Sequence, residues 1–231
     1  MLATGELTAN SIRQPELSQS EQTTPRVLTI LSTVIEKLVA RNDRLVDGLN
    51  HQMNGMSSGL TRLGKSLNAF HGVRAPSISV QKYLERLYKY TNCSPSCFVV
   101  GYVYMDRLAH KHPDSLVISL NVHRLLVTSV LVASKMLDDV HYNNAFYARV
   151  GGVSNAELNR LEIEFLFLLD FGVMVSSRIF ENYCLHLEKE MMLNVAVQKI
   201  ERVIPSNSLD DVTEISVEDT QNLSPPQVVV D

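Results

Sequence analysis

The chain has 231 residues, 45% apolar and 20% charged, with a net charge of −4 and no tryptophan. That is an ordinary composition for a soluble globular protein, sized for one domain with tails or for two small ones. The acidic balance argues against a nucleic-acid backbone or an anionic membrane as main partner, and no apolar run reaches the ~18 residues that span a bilayer.

Residues 1–23 are rich in Ser, Gln, Thr and Glu, show no period and read as a disordered N-terminal segment. They lack the basic start and apolar block of a signal peptide, so the expected location is inside the cell, in the nucleus or the cytoplasm. An amphipathic helix is predicted over 24–47, with Thr24 as cap and Pro25 in the first turn. Its stripe is Val27, Ile30, Leu31, Val34, Ile35 and Leu38. Residues 48–76 lose the period and read as a linker.

From Ser77 the apolar pattern is dense. SISVQKYLERLYKYTN is a helix with Val80, Tyr83, Leu84, Leu87 and Tyr88 on one side. CSPSCFVVGYVYMDRLAHKHP starts with Ser94 as cap and Pro95 behind it, and stops before Pro113. LNVHRLLVTSVLVASKMLDDV is apolar almost all round, and YNNAFYARVGG allows a short helix ended by Gly151 and Gly152. SNAELNRLEIEFLFLLDFGV opens with a capping box, Ser154 and Glu157, and SSRIFENYCLHLEKEMM is one more amphipathic helix. No segment alternates convincingly, so no strand is predicted. Helices that are apolar all round must be wrapped by others, giving an all-α domain over 77–193 and a flexible acidic tail over 194–231.

Enzyme signatures are absent from the sequence. There is no phosphate-binding glycine loop, and no Glu-x-x-His pair of the kind that builds a metal site in a bundle. Cys93 and Cys97 make a C-x-x-x-C without a second ligand pair nearby, and three cysteines in all suit a reduced compartment. Asp138, Asp139 and His141 hint at metal ligands, while His110, His112 and His123 flank helix ends and read as solvated or capping. No catalytic residue, metal or cofactor is expected.

The conspicuous residues are charges inside apolar stripes. Lys135 sits in VTSVLVASKMLDD, Glu162 lies between Leu158 and Phe165, and Asp106 stands in GYVYMDRLAH as a structural buried charge. Each admits an edge reading, in which a long side chain reaches water along apolar surface. Lys135 and Glu162 also admit a second one. On different helices of one domain, they could meet at a surface rim and offer a donor and an acceptor to a partner's backbone.

Those residues carry a family resemblance. LLVTSVLVASKMLDD resembles the third helix of the cyclin box, LNRLEIEFLFLLDFGV the fifth, and YVYMDRL the second. FHGVRAPSIS, YLERLYKYTNCSPSCFVVGYVYMDRLAHKHP and above all SKMLDDVHYNNAFYARVGGVS resemble the plant U-type (P-type) cyclins, relatives of the yeast phosphate-pathway cyclin, over about 68–192. The resemblance implies a cyclin-box five-helix bundle with an added N-terminal and C-terminal helix, and no second box. It implies a regulatory subunit that binds and activates a cyclin-dependent kinase around its catalytic-glutamate helix, in cell division or in nutrient and phosphate-linked signalling. Lys135 and Glu162 match the pair that bonds kinase backbone in the family. Asp106 matches an aspartate that an arginine of the first helix often holds, with Arg86 the candidate here. The Met-Arg-Ala-Ile-Leu substrate patch of cell-cycle cyclins is replaced by ISVQKYLERLYKY. Three minimal proline-directed sites occur, at Thr24, Ser94 and Ser224, and Ser224 is the candidate for phosphorylation. Neither nucleic acid, membrane nor small molecule is an expected partner. The competing reading is a helical adaptor that uses the cyclin-box fold in transcription without a kinase.

Overall fold

The structure, a computed structural model, describes residues 24–52 and 65–203. Residues 1–194 form one unit and 195–231 another, of which 195–203 are described and helical. In chain order the elements are α1 (Arg26–Gln52), a 3-10 turn (Lys65–Phe70), α2 (Val80–Thr91), α3 (Pro95–Lys111), α4 (Val122–Leu137), α5 (Asn144–Gly151), α6 (Asn155–Leu168) and α7 (Ser177–Val203). No strand occurs among the described residues.

The helix starts follow from local chemistry. Ser79, Asn143 and Ser154 are extended, and each side-chain oxygen accepts an N–H from the first turn of α2, α5 and α6. At α6 only the forward half of the capping box forms, because Glu157 accepts from Arg124 Nε at 2.8 Å. Ser94 occupies the cap position of α3 without capping by its side chain. Its N–H donates instead to Asp138 Oδ2, 3.1 Å away at the end of α4. Asp138 also accepts from the buried Cys97 thiol at 3.3 Å, so a carboxylate sits where the helix dipole favours one.

At the centre is α4. Val122, Leu125, Leu126, Val127, Val130, Leu131, Val132 and Ala133 are all buried. It packs on α2, α3, α5, α6 and the 3-10 turn. Its buried hydroxyls find partners within the helix: Thr128 on the Arg124 carbonyl, Ser129 on Leu126 and Ser134 on Leu131. Gly101 lets α3 approach, since a Cβ there would lie 3.1 Å from Ser129 Oγ.

Three boundaries differ from the sequence expectation. The helix predicted over 24–47 runs to Gln52. The predicted linker over 48–76 contains the 3-10 turn, whose Leu67 and Phe70 are in the core; residues 53–64 lie outside the described residues. A six-residue element is too short to show a period, which is why it reads as linker. The predicted disordered segment 1–23 is outside the described residues, as are residues 204–231 of the predicted acidic tail, but residues 194–203 of that tail are helical. His123 is also not solvated. It is buried, its Nε2 donates to the Ile78 carbonyl at 2.9 Å, and its ring stands edge-on to Tyr83.

Two consequences can be measured. Phe165 is fully buried, edge-on to Phe70 and Tyr104 with centroids 6.0 and 6.4 Å away. Phe165→Ala should lower unfolding stability by about 3–5 kcal/mol in urea titrations. Burial lowers the pKa of His71 and of His123 from 6.5, the Ile78 bond opposing it at His123. The unfolded chain then binds protons that the folded chain does not. This share of stability is present in full above pH 6.5 and is lost as pH falls through the lowered folded values. His123→Gln should flatten the acid limb of a plot of melting temperature against pH, by calorimetry.

Candidate functional site

The burial of α4 ends at Ser134, and its last three residues, Lys135, Met136 and Leu137, are exposed. Lys135 is thus at the exposed end of the helix, just beyond its buried run. Its Nζ lies 2.6 Å from Glu162 Oε1 on α6, with the side chains 32% and 15% exposed. The structure brings the two together at the molecular edge, on different helices.

A third residue joins them. Asn144, the first residue of α5, donates through Nδ2 to Glu162 Oε2 at 2.6 Å and to Asn159 Oδ1 at 2.8 Å. Both carboxylate oxygens are held, by separate helices. Sequence reasoning missed Asn144 because an asparagine beside a second asparagine at a helix start reads as capping, which Asn143 alone performs.

An ammonium has three N–H donors and an ionised carboxylate about four lone-pair sites. The pair uses one donor and two acceptor sites, which leaves capacity for foreign carbonyls and amides. An exposed or partly exposed ion pair adds only about 0–1 kcal/mol to stability, so the fold gains little from it.

Around the pair the surface is apolar. Ile163 follows Glu162 on α6, and Phe167, 61% exposed, lies one turn further along the same face. Met136 and Leu137, next to Lys135 at the end of α4, are exposed as well, and so are Val140 and Tyr142 in the loop after it. Apolar side chains gathered in water around a few fixed polar groups mark a protein-docking surface.

The other expected residues are placed differently. Asp106 is not a buried charge: its side chain is 35% exposed. It accepts from the Tyr183 hydroxyl of α7 at 2.6 Å and lies 3.4 Å from His110 Nδ1. Burial first, and then the Asp106 carboxylate, push the Tyr183 phenol well above its usual range and keep it a donor. Arg86 is exposed on α2 and donates to the Arg149 carbonyl at 3.4 Å, not to Asp106. A sequence pattern cannot reveal that α7 delivers a tyrosine to α3. Ser224 lies outside the described residues. Asp138 is taken up by the start of α3, and among the described residues no three His, Cys, Asp or Glu are grouped to hold a metal. Among them no helix is long and apolar enough to cross a membrane.

Comparison with known proteins agrees with this architecture. The family model described as Cyclin matches residues 25–173, which takes in α1 and stops short of α7. The chain is 64% identical over 205 residues to Cyclin-U1-1 of Arabidopsis thaliana, covering 89% of this chain and 92% of that one. It is 46% identical over 175 residues to Cyclin-U4-1 of the same plant, covering 76% and 85%. It is 44% identical over 189 residues to Cyclin-P3-1 of Oryza sativa subsp. japonica, covering 82% and 75%. The chain belongs to the cyclin family, as a regulatory protein of its plant U/P type.

Proposed function

We propose that this cyclin is the regulatory subunit of a cyclin-dependent kinase, which it binds through the Lys135–Glu162 pair and the apolar rim around it. The observation that carries the reading is the pair itself: 2.6 Å apart, at an edge, and bordered by exposed Ile163, Phe167, Met136 and Leu137. The pair supplies directed bonds to the backbone at the start of the kinase's glutamate-bearing helix. The rim supplies buried area.

Activation is then a shift of population. A kinase is active when the glutamate of that helix pairs with the strand lysine and the metal-binding aspartate is in place. A partner that docks only on the inward position of the helix stabilises that state by its differential affinity. Taking the active state from 1:99 to 99:1 requires about 5.5 kcal/mol, within reach of a few well-packed anchors worth about 2 kcal/mol or more each. Phosphoryl transfer belongs to the kinase. The setting is cell division or nutrient and phosphate-linked signalling, in the nucleus or cytoplasm, which fractionation of plant cells checks.

The test uses the full chain and a panel of purified cyclin-dependent kinases. The wild type should bind at least one of them and raise its phosphorylation of a peptide substrate. The double variant Lys135→Ala, Glu162→Ala should bind at least tenfold more weakly, about 1.4 kcal/mol, with an unchanged melting temperature. Phe167→Ala should also weaken binding, while its stability stays within about 0.5 kcal/mol of the wild type, as for a surface substitution. Failure of the wild type to bind or stimulate any kinase, combined with its recovery in a transcription complex, would replace this reading with the adaptor.

A further inference from the structure

We propose that Asn144 is the positioning residue of the docking pair: its amide fixes the carboxylate of Glu162, and through it the Lys135 ammonium, in the orientation that a kinase backbone meets. The inference rests on the docking function above and names a part of that site. It starts from a count of donors. The amide of Asn144 has two N–H groups. One goes to Glu162 Oε2 at 2.6 Å and the other to Asn159 Oδ1 at 2.8 Å. The reverse placement of the amide would turn its oxygen on two acceptors, so the surroundings fix which end is nitrogen.

A glutamate held by one lysine alone pivots about that contact. Held at both oxygens from two helices, its carboxylate plane is set. The platform is itself held at both ends. Asn143 caps α5 by accepting from Phe146 N at 3.0 Å, and the Gly151 carbonyl at the other end accepts the Tyr83 hydroxyl at 2.9 Å. The carboxylate is therefore oriented before any partner arrives, which reduces the ordering that binding must perform.

Two substitutions separate positioning from a structural part. Asn144→Ala removes the amide. Asn144→Asp keeps its shape, replaces donor by acceptor opposite Glu162, and places an acid in the first turn of α5, where the helix dipole favours one. A role in the stability of α5 alone predicts that the Asp variant binds like the wild type. Positioning predicts that it binds more weakly than the Ala variant.

Affinity for a purified cyclin-dependent kinase that binds the wild type would be measured by calorimetry, for each variant alone and in a Glu162→Ala background. The expected result is a loss of about five- to tenfold for Asn144→Ala (~1–1.4 kcal/mol) and a larger one for Asn144→Asp. Both losses should shrink to within twofold once Glu162 is absent, and crystals of the free Asn144→Ala chain should show the Glu162 carboxylate rotated. Wild-type affinity in both variants, or a loss of full size without Glu162, overturns the proposal and leaves the function standing. A wild type that binds no kinase overturns the function first, and the positioning role with it.

Discussion

The architecture depends on one helix having no polar face. Between Val122 and Ser134, α4 turns apolar groups in almost every direction, and its few hydroxyls are absorbed by its own carbonyls. Such a segment is stable only when neighbours cover it on all sides. Here α2, α3, α5, α6 and the 3-10 turn do so. Once every side is taken, the helix can reach water only at an end. At the C-terminal end Lys135, Met136 and Leu137 emerge together. The site is at the edge because α4 is buried without a break from Leu125 to Ser134 and reaches water only beyond it.

The turn that follows α6 is kept in place by α3. After α6 the chain turns through Asp170 and Phe171, both left-handed at φ 49° and 55°. Neither is glycine, and each such residue costs on the order of 1–3 kcal/mol. Three residues of α3 hold the turn: Tyr104 on the Val173 carbonyl at 2.7 Å, Arg107 on the carbonyls of Gly172 and Met174, and Lys111 on the Asp170 carboxylate. The turn leaves Phe171 outside, edge-on to Phe167 at 5.2 Å. Phe167, Phe171 and Met174 are exposed on this held turn and the helix before it.

Much of this was legible in the residues. The starts of α3 and α6 and the end of α5 carry their own chemistry in Pro95, Ser154 and Gly152, so local signals and the fold agree there. Lys135 and Glu162 stood out because charge within an apolar stripe needs an explanation, and the structure places them 2.6 Å apart. What sequence could not supply was pairing across helices. Asn144 looks like any polar residue at a helix start until α6 is beside it, and Asp106 was assigned an arginine when α7 provides a tyrosine. The Lys65–Phe70 turn was invisible for a different reason, being shorter than two periods of the pattern that reveals a helix.

A neutral pair at a docking edge does something that a lone charge does not. Lys135 and Glu162 cancel at distance, so they add little to long-range attraction and act at contact. At contact they demand a partner that offers an acceptor and a donor in matching positions, as a helix start does when the unpaired N–H groups of its first turn face the carboxylate and a carbonyl of the segment leading into it faces the ammonium. Apolar rim residues accept many surfaces, whereas unmatched charges under a docked partner are penalised by several kcal/mol. The rim therefore supplies affinity and the pair supplies discrimination. The second hold on Glu162, from Asn144, converts a flexible acid into a fixed one, and fixed geometry is what discrimination requires.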